Sequence, residues 1–241
     1  MDTNENKKIK VNSAYALECK AVSKDYGKYN ALDKVSLTVK KGHIAGVLGP
    51  DGAGKSTLAK LICSLIPQGD GSILVGGEAV KNEDISYLPE EPFVNGGQRV
   101  GDLVEMYKYF YKDFDVKRAV AAFKRIEISL NDKFCYLSRS SVQKVETVLV
   151  MYRKAKLYVL DDPIASVEPK SRDFIIKTIL SGCAGDNGVL LLSSVPAQVE
   201  KILDEVYIMY KGEIKLASTA DEIMADYGKT VGGFYREAFR C

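Results

Sequence analysis

Gly49-Pro50-Asp51-Gly52-Ala53-Gly54-Lys55-Ser56-Thr57 is the stretch of this chain best suited to chemistry on phosphate. Glycines at the first and sixth positions, followed by Lys-Ser, let the backbone curl so that successive N–H groups point inward. A helix opening at Lys55 adds the positive end of its dipole. Lys55 can reach the β- and γ-phosphates as a point charge, and the Ser56 hydroxyl can complete a Mg²⁺ shell. Gly49, Asp51, Gly52, Ala53, Gly54, Lys55, Ser56 and Thr57 are therefore the candidate phosphate cradle.

A second run, Leu157-Tyr158-Val159-Leu160-Asp161-Asp162, is an apolar strand ending in paired carboxylates. Asp161 can hold Mg²⁺ through water, across from Ser56. Taken alone, the run fits an acidic turn capping the next helix equally well; the phosphate loop upstream favours the metal reading.

These residues need a sheet and helices to hold them. His43 to Leu48 is a short apolar run bounded by glycines, as a buried strand should be. Ser56 to Ile66 has helical spacing and stops at Pro67. Other strand-like segments are Ala16–Cys19, Val35–Lys40, Ser72–Val75, Ser86–Leu88, Leu157–Leu160, Val189–Leu192 and Val206–Met209. The turn-rich Ser23–Asn30 separates the first two. Val100 to Met151 is helical and rich in aromatics. Strands alternating with helices predict a parallel α/β sheet carrying a helical insertion, about residues 98–152. The expected organisation is a polar tail over 1–12 and one domain over 13–241.

In motif order and spacing, Ala16 to Glu213 resembles the ATP-binding subunits of ABC transporters, closest to the bacterial exporter-type branch. The implied fold is a P-loop nucleotide-binding domain: a mostly parallel sheet, an antiparallel β region and an inserted α-helical subdomain. Tyr26 matches the aromatic that stacks on adenine, a reading favoured over the alternative of a strand-edge tyrosine. Ile85–Pro92 matches the Q-loop region, with Glu90 in the glutamine position, which the resemblance places beside Ser56 and Asp161 at the metal. Leu137–Lys144 falls where the LSGGQ signature belongs, and Ser138 keeps its hydroxyl for a partner's γ-phosphate. Leu160–Pro169 matches the Walker B strand and D-loop, and Leu190–Ile214 the switch region and closing strands. The implied cofactors are ATP and Mg²⁺. The implied partners are a second ATP-binding subunit, stacked head to tail, and transmembrane permease subunits docking on the helical insertion. That would place the chain in the cytoplasm, peripheral on the inner face of the membrane.

Four departures bear on hydrolysis. Asp162 stands where a glutamate usually activates water, one methylene shorter, and a misplacement of ~1 Å can cost on the order of 100-fold in rate. Asp162 and Lys55 are nonetheless the candidate catalytic pair. Val195 occupies the switch-histidine position, and the sole histidine, His43, starts a strand far upstream. Ser140 and Ser141 replace a glycine and the glutamine of the signature, and Glu168 replaces the D-loop aspartate. Intact binding with slow hydrolysis follows as the expectation. The alternative is a regulatory or structural nucleotide clamp paired with an active ATPase. A soluble ABC protein of DNA repair or translation would want two cassettes or a long coiled coil.

Composition sets outer limits. In 241 residues, 34 Lys plus Arg against 32 Asp plus Glu give a net +2, which favours neither nucleic acid nor an acidic membrane as partner. No apolar run approaches the ~18 residues of a membrane span. Five cysteines share no metal-ligand spacing, and reduced thiols are the simplest expectation.

Overall fold

A computed structural model describes residues 14–164, 167–183 and 185–239. The tail expected over 1–12, Ala165 and Ser166 of the D-loop, and Cys241 lie outside those residues. The chain begins with two antiparallel strands, β1 (Tyr15–Tyr26) and β2 (Tyr29–Lys40). They run through Ser23–Asn30, which the sequence suggests is a connecting turn. Only Gly27 and Lys28 turn, with Gly27 at φ 63°, so the alternating residues on either side stay paired.

A central six-stranded sheet contains β3 (Ile44–Leu48), β6 (Ile85–Leu88), β7 (Leu157–Asp161), β8 (Gly188–Ser193), β9 (Glu205–Tyr210) and β10 (Glu213–Ser218). Its order is β10-β9-β3-β8-β7-β6, parallel except for the β9–β10 hairpin. Strands β4 (Ser72–Val75) and β5 (Glu78–Ala79) extend the first hairpin into a four-stranded antiparallel sheet. The fold is thus the α/β arrangement anticipated, with one mostly parallel and one antiparallel sheet.

Side-chain alternation assigns the faces of the central sheet. Val47, Leu157, Val159, Leu190 and Leu192 join β1, β2 and the helix α1 (Lys55–Ile62) in one core. Leu48, Tyr158, Leu160, Val189 and Leu191 pack the opposite face against α5 (Pro169–Gly182), α6 (Ala220–Tyr227) and α7 (Val231–Phe239). Asp161 continues the Leu157, Val159 row, so it emerges on the face that carries α1. Helix α1 stops at Ile62, earlier than the Ile66 that spacing suggested, because Ser64 turns to φ 54°.

Between β6 and β7, α2 (Val100–Phe110), α3 (Val116–Arg125) and α4 (Arg139–Met151) form a helical unit with its own core, including Leu103, Phe123 and Leu149. Tyr107 and Phe114 are buried there, whereas Tyr109 and Phe110 are 81% and 67% exposed, so this aromatic run serves both a core and a surface. Buried Arg153 joins the unit to the sheet. It donates to the carbonyls of Glu83 and Ile85 at 2.8 Å, pairs with Asp113, and lies 3.9 Å from the Tyr111 ring centre. Among the described residues no helix is long and apolar enough to cross a membrane.

Candidate nucleotide site

Strand β3 delivers the chain into the glycine loop, and sterics explain the glycines. A Cβ on Gly49 would lie 2.4 Å from the Met209 carbonyl oxygen, and one on Gly54 would lie 2.7 Å from that of Ala31. Gly54 also sits at φ 107°, a conformation closed to ordinary side chains. Ala53 is buried beneath the loop and accepts a bond from the Gly212 N–H at 2.9 Å. Asp51 and Gly52 form the exposed crest.

The loop borders a cleft of about 260 Å³ lined by Asp51, Gly52, Gly54, Lys55, Ser56, Thr57, Glu90, Asp162, Tyr29 and Ala31. Six of the eight predicted cradle residues therefore meet at its wall, with Gly49 and Ala53 supporting them from below. Lys55 is only 6% exposed. Its ammonium donates to the carbonyls of Gly49 at 2.8 Å and Pro50 at 3.2 Å. A buried cation held by carbonyls at a helix N-terminus makes this floor strongly attractive to anions.

Asp161 is 2% exposed and its Oδ1 has no hydrogen-bond partner. Burial pushes its carboxyl up to about 6, against the opposing pull of a Ser56 hydrogen bond; Asp162 and Glu90 push it further up, and Lys55 lowers it. A buried, unpaired carboxylate oxygen is costly unless a cation satisfies it. That is the fit a Mg²⁺ ion needs here. No group of three or more His, Cys, Asp or Glu arranged for a metal occurs among the described residues. An ion at Ser56 and Asp161 would thus draw most of its shell from phosphate and water, as Mg²⁺ prefers.

Two predicted residues sit differently. Tyr26 is half-exposed at the end of β1 and does not line the cleft; its cross-strand partner Tyr29 does. The tight Gly27–Lys28 turn brings both rings onto one face of the hairpin, and sequence reading missed Tyr29 by treating this region as irregular. Ser138 lies outside the cleft. Its hydroxyl caps α4 by accepting from the Ser141 N–H at 3.2 Å and donates to the Ser141 hydroxyl at 3.0 Å.

The positions that depart from the pattern are equally defined. Asp162 turns the chain at φ 46° and its N–H bonds the Leu192 carbonyl at 2.9 Å. Its carboxylate accepts from the hydroxyl of Ser193 at 3.0 Å, the hydroxyl of Ser194 at 3.2 Å and the N–H of Ser194. Val195 is 37% exposed beside them. The Ser140 hydroxyl accepts from the N–H of Glu168, which precedes α5. His43 pairs with Glu205 at 3.2 Å at the start of β3, a structural role. Cys19 and Cys63 are buried free thiols, both pushed up to about 12 by burial, and Cys135 and Cys183 are also free.

Known proteins share the fold and the family pattern. The ABC transporter family model matches residues 32–165. The linearmycin resistance ATP-binding protein LnrL of Bacillus subtilis is 26% identical over 88% of this chain and 72% of its own length. The ABC transporter ATP-binding protein YtrB of the same organism is 27% identical over 88% and 75%. A solved ATP-binding subunit of an ABC transporter superposes with a TM-score of 0.83 at 24% identity, covering 93% of this chain and 98% of that one. The chain belongs to the ABC transporter family, as one of its ATP-binding subunits.

Proposed function

We propose that this chain binds MgATP in the cleft over Lys55, pairs head to tail with a second ATP-binding subunit, and hydrolyses ATP slowly while acting on transmembrane permease subunits. The observation that carries the reading is the meeting of buried Lys55, the Ser56 hydroxyl and the unpaired Oδ1 of Asp161 at the start of α1. Backbone N–H groups of Gly52 to Thr57 and the Lys55 ammonium would hold the phosphates. Ser56 and Asp161, with Glu90 at the rim, would hold Mg²⁺, which supplies charge neutralisation on the β- and γ-phosphates. Tyr29, with Tyr26 across the hairpin, offers a face for adenine. Exposed Ser138 is positioned to serve the nucleotide of the partner subunit. Exposed Tyr109 and Phe110 present the helical unit to the permease, which keeps the chain on the cytoplasmic face of its membrane.

Slow hydrolysis rests on Asp162, whose carboxylate is occupied by two serine residues, and on Val195, which offers no group to hold or relay a proton. The same facts favour a second reading, a nucleotide clamp whose partner performs most of the hydrolysis. Steady-state turnover separates this account from an ordinary motor. The purified chain, saturated with MgATP, should turn over at no more than about 0.1 s⁻¹, roughly 100-fold below a typical enzyme. Turnover at or above about 10 s⁻¹ would remove the case for slow hydrolysis.

A further inference from the structure

The end of β7 and the end of β8 are joined by side chains as well as by backbone. Asp162 stands one residue beyond the last paired position, Asp161 opposite Leu192. Its N–H extends the ladder to the Leu192 carbonyl, and its left-handed φ of 46° then swings the carboxylate toward β8. There Oδ1 accepts from Ser193 Oγ at 3.0 Å and from Ser194 N at 3.2 Å. Oδ2 accepts from Ser194 Oγ at 3.2 Å and from Ser194 N at 3.3 Å. Ser193 Oγ also accepts from the Val195 N–H at 3.1 Å, so the whole turn is organised around this one carboxylate. Asp162 borders the nucleotide cleft, yet each of its oxygens is already satisfied by donors outside it.

We propose that Ser194 is a positioning residue that holds Asp162 away from the reacting water, making the Ser193–Ser194 turn a brake on hydrolysis. The inference rests on the reading of the cleft as an ATP site. A general base must reach the proton it removes, within about 3 Å or through one water. A carboxylate offers about four acceptor positions, and the four contacts to the β8 turn leave Asp162 none for a proton of the water. Ser194 contributes two donors, one of them backbone, so its hydroxyl is the part a substitution can remove. Ser193 is 2% exposed and caps the Val195 N–H, so changing it would also disturb the turn itself.

The test compares wild type, Ser194→Ala, Asp162→Asn and the double variant in two assays. Without nucleotide, chemical denaturation should give a double-mutant cycle in which the two sites couple by about fivefold to tenfold in the folding equilibrium. With saturating MgATP, Ser194→Ala should raise kcat about tenfold at unchanged ATP affinity, and Asp162→Asn should abolish the gain. Additive stabilities would show that the two side chains do not act together. Coupling without any rise in kcat would make the contact purely structural and overturn the brake. If wild type and Ser194→Ala both fail to bind MgATP, the ATP-site reading fails first, and calorimetric titration distinguishes that outcome.

Discussion

Lys55→Ala should weaken MgATP binding by about 100-fold or more, the largest functional effect of any single substitution in the cleft. Charge-assisted hydrogen bonds contribute roughly 1.5–3 kcal/mol each, and a lysine in this position would make them to two phosphates. In the free protein the ammonium is buried and shared between the Gly49 and Pro50 carbonyls. The loop therefore holds its cation before any ligand arrives, and little ordering is left to oppose binding. Truncation also leaves those carbonyls short of a partner, so part of the effect will appear as a lower melting temperature without nucleotide. Measuring affinity by calorimetry and Tm by scanning fluorimetry on the same sample separates the two. A loss of affinity below about tenfold would mean that Lys55 does not face the phosphates.

Glu146 should dominate the pH dependence of stability. It lies fully buried on α4, accepts from the Phe93 N–H at 2.8 Å and leaves Oε2 unpaired. Burial pushes its carboxyl up to about 7 from the usual 4.5, against the opposing pull of the Phe93 and Val94 N–H groups. Because the folded state binds the proton more tightly than the unfolded state, the associated stability is complete below about pH 4.5. It is lost as pH rises to about 7. The loss is on the order of 3 kcal/mol. Glu146→Gln cannot ionise, so the stability of wild type relative to this variant should fall steadily across that window and level off above it. Denaturant titrations of both proteins from pH 4.5 to 8 provide the comparison. A constant difference across the range would show that Glu146 keeps its ordinary proton affinity in the fold.

The phosphate loop and the Walker B strand are legible in the sequence because they combine local rules. Gly49 and Gly54 are demanded by sterics, Lys55 by charge, and the run Leu157–Asp161 by burial on both faces. Apolar runs likewise mark most of the strands, and the resemblance adds the closing ones, but the two-residue β5 leaves no such signal. What stays hidden depends on contacts across the fold. Tyr29 reaches the cleft only because a two-residue hairpin replaces an apparent loop. Ser194 finds Asp162 only when β7 and β8 lie side by side, some 30 residues apart in the chain. Glu146 sits in an apparently ordinary stretch of amphipathic helix, and nothing local marks it as fully buried. The two C-terminal helices also escape, since α6 buries only Ile223 among its side chains and so carries little periodic signal.

The most direct measurement is a calorimetric titration of the chain with ATP, with and without Mg²⁺, run on wild type and Asp161→Asn. One saturable site per chain is expected, tightened by Mg²⁺ in wild type. In Asp161→Asn the tightening should disappear, while metal-free ATP binding stays within a fewfold. Absence of saturable ATP binding by wild type, or a Mg²⁺ response that survives Asp161→Asn unchanged, would contradict the assignment of this cleft.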